Sequence, residues 1–220
     1  TRDYVLNLEI VLPSGEVIWT GANVLKNSTG YSLTDLIVGS EGTLAVVTKI
    51  VFKLLAKPKY NVLMLAYFKT IKDACSTVSN IFMAGANPSA LELMERKGVE
   101  LVTSNTEQNF PFEQDETCYL LIEVDGNKMD TIYEECEAIN LVLEQHKVLN
   151  VLFAENSAEK EKLWKTRRTI GEIVKLKNTF KEEDTVVPRA ALPDLMDYLK
   201  ILEKEYGFEC ICYGHAGDGN

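Results

Sequence analysis

Tyr60-Asn61-Val62-Leu63-Met64-Leu65-Ala66-Tyr67-Phe68 is the stretch whose reading decides the fold. A short apolar run of this kind reads as a strand, and Thr70 just beyond it caps a helix running to about Ala84. A short strand follows over Ala90 to Leu93, then a helical piece from Glu95 to about Val102. Ser104 to Glu116 is polar and aperiodic and is expected to be a mobile loop. Strand Thr117 to Val124, helix Lys128 to about Gln145 and strand Val148 to Phe153 complete the series. The order is β-α-β-β-α-β, the split-βαβ or ferredoxin-like arrangement, with a helical insertion between its middle strands. The fold class is therefore α+β, built on an antiparallel sheet.

Upstream, Tyr4 to Leu12 reads as a strand with Leu6, Leu8, Ile10 and Leu12 on one face and Asn7 and Glu9 on the other. Pro13-Ser14-Gly15 is turn chemistry, and Glu16 to Thr20 returns as a second strand. Ser32 with Asp35 marks the start of a short helix. Gly39-Ser40-Glu41-Gly42-Thr43 stops that helix, and Leu44 to Leu55 makes a long β-branched strand. A domain boundary is placed near Pro58, dividing the chain into 1–57 and 58–220. Downstream, Asn156 or Ser157 caps a long helix to about Lys177, and a short strand is expected over Thr185 to Val187. Leu192, Leu195, Met196, Leu199 and Leu202 stripe a further helix that Gly207 ends. Phe208 to Cys212 reads as a last strand.

The composition is that of a globular protein: 46% hydrophobic and 25% charged residues over 220 positions. A formal net charge of −10 argues against a nucleic-acid partner, which needs clustered Lys and Arg. No run approaches the roughly 18 apolar residues of a membrane span. Cys75, Cys118, Cys136, Cys210 and Cys212 are odd in number and scattered, and read as buried free thiols that suit a reducing cytoplasm.

Three stretches could carry chemistry. Tyr213-Gly214-His215-Ala216-Gly217-Asp218-Gly219-Asn220 sets a histidine among glycines. It is either a surface turn or a tight loop presenting polar groups to a ligand. Such a turn would lead into another strand, so the chain is expected to be part of a longer one. Gly39-Ser40-Glu41-Gly42-Thr43-Leu44 is either a helix-to-strand turn or a nest of backbone N–H groups for a phosphate. Asn27-Ser28-Thr29-Gly30-Tyr31 is a second small polar loop on the other side of the same short helix. The run Glu182-Glu183-Asp184 reads as a solvated charge run, with metal binding as its alternative.

Two of these stretches together resemble one family. Lys26-Asn27-Ser28-Thr29-Gly30-Tyr31-Ser32-Leu33 followed by Val38-Gly39-Ser40-Glu41-Gly42-Thr43-Leu44-Ala45-Val46-Val47-Thr48 is similar to the FAD-linked oxidases, and so is the terminal Gly214-His215-Ala216-Gly217-Asp218-Gly219-Asn220. The family includes D-lactate dehydrogenase, the glycolate oxidase D subunit and D-2-hydroxyglutarate dehydrogenase. The resemblance implies that residues 1–57 are the end of a PCMH-type FAD-binding domain and that 58–220 are most of the substrate-side cap. It implies FAD contacts at Gly39, Ser40, Gly42 and Thr43, with Val46 near the adenine and Thr29, Gly30 and Tyr31 near the flavin.

By the same resemblance, His215 would ligate a divalent metal (Zn, Mn or Fe) beside the substrate. Arg167, or its neighbour Arg168, would hold the carboxylate of a small 2-hydroxy acid. The implied reaction is hydride transfer from that acid to the flavin, with quinone, cytochrome, flavoprotein and iron–sulfur partners all open as the onward electron acceptor. A homodimer is left open, as is a cytoplasmic location peripheral to the inner membrane. These 220 residues alone are expected to bind FAD weakly and not to turn over. The competing reading is a non-catalytic ferredoxin-like binding or assembly module.

Overall fold

The computed structural model describes residues 2–177 and 179–220, and nothing is stated of the Lys177 side chain. The chain divides into two compact units, Thr1–Lys57 and Pro58–Asn220.

The first unit is a three-stranded antiparallel sheet in the order β2-β1-β3, formed by β1 (Val5–Val11), β2 (Val17–Trp19) and β3 (Val46–Phe52). Between β2 and β3 lies the one-turn helix α1 (Leu33–Ile37). Ser32 caps it as the sequence predicts, its Oγ accepting from the Asp35 amide at 3.2 Å. The buried core is small: Leu8, Ile10, Ile37 and Ala45. Asn7 departs from its expected place on a polar outer face, for it is buried. Its Oδ1 accepts from the amides of Leu8 and Gly21 at 3.0 and 2.7 Å, and its Nδ2 donates to Asn23. A buried amide side chain is stable there because backbone donors that the short sheet leaves unpaired satisfy it. β3 is also shorter than the expected Leu44 to Leu55 strand, because its pairing with β1 ends at Phe52.

The second unit is a five-stranded antiparallel sheet in the order β7-β4-β6-β5-β8. Its members are β4 (Tyr60–Phe68), β5 (Ala90–Glu95), β6 (Cys118–Gly126), β7 (Asn150–Phe153) and β8 (Tyr213–Gly214). The first four have the ferredoxin-like order. Helices cover both faces. On one side α2 (Ile71–Met83), α4 (Met129–Gln145) and α6 (Leu192–Tyr206) pack on Met64, Ala66, Phe68, Leu120 and Ile122. On the other, α3 (Arg96–Asn105) and α5 (Ser157–Lys177) pack on Leu63, Leu65, Tyr67, Tyr119 and Leu121. This explains why the opening stretch is unbroken in apolarity rather than alternating: Leu63 to Phe68 are all 0% exposed.

Three expectations give way. The supposed mobile loop after α3 inserts Phe110 into the core, edge-on to Tyr119 with ring centroids 4.9 Å apart, and Tyr67 Oη donates to Pro111 O at 2.7 Å. Phe208 to Cys212 is not a strand; pairing with β5 begins one residue later, Met94 opposite Tyr213 and Leu93 opposite Gly214. Thr185 to Val187 forms no strand either, although Val187 N donates to Gly219 O at 2.8 Å.

Candidate functional site

The site in the second unit is built on β5. Leu91 and Leu93 face α2, so alternation turns Glu92 and Met94 toward α5. Glu92 is thus a carboxylate in the middle of a covered sheet, 5% exposed. Such a charge is stable only if it is paired.

Its partners come from two distant segments. On α5 the buried positions Leu163, Thr166, Ile170 and Ile173 trace an inward stripe, and Arg167 lies on it, 9% exposed. Arg167 donates to Glu92 Oε2 through Nε at 2.9 Å and through a terminal guanidinium nitrogen at 2.8 Å. The guanidinium also lies 5.3 Å from the Tyr213 ring centroid. That ring approaches α5 at Gly171, where a Cβ would stand 2.7 Å from Tyr213 Oη. Arg168 points the other way, to an exposed pair with Glu161. Of the two arginines only Arg167 faces the site.

The second partner is His215. Continuing the β5–β8 register by one residue sets it opposite Glu92, and its Nδ1 lies 2.8 Å from Glu92 Oε1. The imidazole is otherwise open, with 62% of its side chain exposed. It borders a cleft of about 300 Å³ that Glu92, Asn87, Ser89, Arg189 and Asp218 also line.

The loop carrying His215 is pinned on several sides. Arg189 Nε donates to Gly217 O at 2.6 Å while its guanidinium sits 3.8 Å over the Phe82 ring. Gly219 has φ +82°, and a Cβ there would fall 2.1 Å from Val187 O, so only glycine fits. Asn220 Nδ2 donates to Asp184 and, at 3.3 Å, to Thr185 O. The acidic run is therefore a set of pairings: Glu182 with Lys175, Glu183 with Lys181, and Asp184 with the histidine loop.

Metal binding finds little support in this donor set. Among the described residues no three His, Cys, Asp or Glu side chains are grouped as a metal centre. His215 is a single candidate ligand with no further one grouped beside it among the described residues, so those residues do not by themselves make a metal site. The five cysteines are free. Cys75, Cys118 and Cys136 are buried as expected, but Cys210 and Cys212 are only partly so. Burial still pushes the Cys212 thiol well above its ordinary range.

The remaining sequence candidates lie in the first unit, on the two loops that bracket α1. The backbone takes positive φ at Gly39 (+91°), Glu41 (+50°) and Gly42 (+77°). Ser40 N and Thr43 N donate to Ile37 O and Ser40 O, both at 3.0 Å, and Thr43 Oγ1 donates to Ser40 O at 2.6 Å. The amides of Gly39, Glu41 and Gly42 donate to no protein acceptor among the described residues, which suits an anion-cradling turn. Thr29, Gly30 and Tyr31 are exposed, Tyr31 at 99%, and Val46 opens β3 with its side chain in solvent. These residues fit contact with a phosphate-bearing cofactor.

Residues 57–220 match the family "FAD linked oxidases, C-terminal domain", and the chain belongs to the FAD-linked oxidases. FAD is accordingly the family's cofactor. Two relatives give the scale of similarity. D-lactate dehydrogenase of Anaerostipes hadrus is 36% identical over 229 residues, covering 100% of this chain and 47% of that protein. Glycolate oxidase subunit GlcD of Bacillus subtilis is 34% identical over 221 residues, covering 100% of this chain and 46% of its own length. The chain thus spans about half the length of the curated relatives it matches.

Solved structures agree on the fold. 4-Ethylphenol oxidase from Gulosibacter chungangensis superposes with a TM-score of 0.67 at 13% identity, over 96% of this chain and 48% of that one. Alkyldihydroxyacetonephosphate synthase gives 0.61 at 20% identity, over 92% and 41%. No helix among the described residues is long and apolar enough to cross a membrane.

The sequence reading missed Glu92. Its signal was present: Ala90-Leu91-Glu92-Leu93-Met94 sets one carboxylate inside an apolar strand.

Proposed function

We propose that this chain contributes the substrate-side residues and part of the FAD contact surface of a flavoenzyme that oxidises a small 2-hydroxy acid of the D-lactate or glycolate type. The observation that carries this reading is the meeting of Arg167 and His215 at one buried carboxylate beside a polar cleft. A 2-hydroxy acid needs a cation for its carboxylate and an acceptor for its hydroxyl proton. Arg167 has guanidinium N–H groups beyond those directed at Glu92, and these suit a carboxylate. His215 offers Nε2, the ring nitrogen not held by Glu92, to the hydroxyl proton. When bound, FAD supplies the acceptor for the hydride leaving the α-carbon. The electrons of the O–H bond then form the carbonyl of a 2-oxo acid as the proton passes to His215. Gly39, Ser40, Gly42 and Thr43 would hold the cofactor through backbone, with Val46 by its adenine and Thr29, Gly30 and Tyr31 near the flavin.

The test uses the flavoprotein that carries this chain. Mixed anaerobically with D-lactate or glycolate it should lose its yellow absorbance, and Arg167→Ala and His215→Ala should each slow that bleaching by about 100-fold or more. Bleaching at the parent rate in both variants would overturn the reading.

A further inference from the structure

Glu92 belongs to neither of the motifs that carry the family resemblance, yet it is the atom-level link between Arg167 and His215. Its carboxylate is buried, and a carboxylate has only acceptors. One oxygen takes both Arg167 contacts; the other is directed at His215 Nδ1. Neutralising the charge requires Arg167 alone. The second contact reaches a ring that is mostly in solvent, so its consequence falls on the histidine.

We propose that Glu92 is the positioning residue of the site, fixing the tautomer of His215 and the approach angle of Arg167 at once; this rests on the function proposed above. Because Glu92 Oε1 can only accept, Nδ1 carries the proton and the lone pair of the neutral ring sits on Nε2. Free imidazole side chains favour the opposite tautomer, so the carboxylate sets the form in which the ring can take a proton from the cleft side. When it does, the imidazolium lies against an anion already in place, which needs no reorganisation. The rigid parts are strand β5 and helix α5, with β8 adding the register that keeps His215 opposite Glu92. A site on such elements is held more closely than one on loops.

The experiment compares the flavin-loaded protein as parent, Glu92→Gln and Glu92→Asp, with the ring nitrogens of His215 followed by ¹⁵N NMR and assigned against His215→Gln. The parent should show a protonated Nδ1 and an unprotonated Nε2. Glu92→Asp keeps a charge beside Arg167 and so preserves folding if Glu92→Gln does not. It withdraws the oxygen from His215, so the Nε2–H form should grow. Loss of such a supporting group lowers kcat/KM by about 10–100-fold. That loss should fall mainly on kcat, whereas Arg167→Lys should act mainly on KM.

A parent protein carrying its proton on Nε2 would overturn the proposal, as would unchanged kcat and tautomer in either folded Glu92 variant. If Arg167→Lys and His215→Gln are impaired while Glu92→Asp is not, this inference alone fails. If those two variants turn over like the parent, the functional reading fails with it.

Discussion

The two units solve the same packing problem with unequal means. In the second, β4 is sealed on both faces and its residues from Leu63 to Phe68 are fully buried. In the first, β3 is exposed at every position but Val51, and the unit rests on four buried apolar side chains. The first unit leans correspondingly on polar pairing: Asn7 with its two amides, and Thr20 Oγ1 against Thr34 Oγ1 at 2.8 Å. A well-covered sheet can carry a buried charge such as Glu92 and keep it aligned. A sparsely covered one exposes backbone and glycine turns, as the loops around α1 do.

That contrast can be broken by mutation. The largest effect is expected at Phe68 in the doubly covered sheet, where Phe68→Ala should cost about 3–5 kcal/mol in urea unfolding followed by circular dichroism. Arg167→Met comes next: it strands the buried Glu92 carboxylate and should cost about 3 kcal/mol, recovered in large part by Glu92→Gln in the same chain. In the first unit, Asn7→Ala leaves the Gly21 amide without its side-chain acceptor, the Leu8 amide keeping Thr20 Oγ1, and should cost about 1–3 kcal/mol. A larger loss at Asn7 than at Phe68 would invert the comparison.

Two gentler probes sharpen it. Burial pushes the Cys75 thiol to about 12 and Cys136 to about 11, so both stay protonated at pH 8. Iodoacetamide at that pH should modify Cys210, at the margin of the second unit, before either. Reaction of Cys75 at the rate of Cys210 would mean that the core opens readily. The smallest effect belongs to Glu9, whose hydrogen bond from Lys49, followed by that from Thr48, holds its carboxyl below the ordinary range. A depressed carboxyl contributes stability that is present above its unfolded pKa and lost as pH falls through the folded one. Glu9→Gln should therefore weaken the first unit slightly at neutral pH and not at acid pH, read as a shift in melting temperature.

Much of the local structure was legible in the residues. Ser32 and Thr70 cap α1 and α2, Gly207 stops α6 in the left-handed region, and the ferredoxin-like order follows from the succession of apolar runs. These are short-range matters of capping, backbone freedom and period. The edge strand was misplaced, the expected Phe208 to Cys212 lying wholly before Tyr213–Gly214, because two residues of β structure have no pattern of their own; β5 selects them by pairing. The loop after α3 misled because its polar average concealed Phe110, which a hollow beside Tyr119 takes up.

The candidate site divides along the same line. Sequence alone marked Arg167 and His215, by resemblance, and the glycine turn that carries the histidine. It left Arg167 and Arg168 unresolved, although the spacing of Leu163 and Ile170 already placed Arg167 on the inward stripe. Only the tertiary structure joined them, since Glu92 lies 75 residues from Arg167 and 123 from His215. A buried charge takes its partner from whatever the fold brings within about 3 Å, and that is settled by sheet register and helix packing, which no local run of residues encodes.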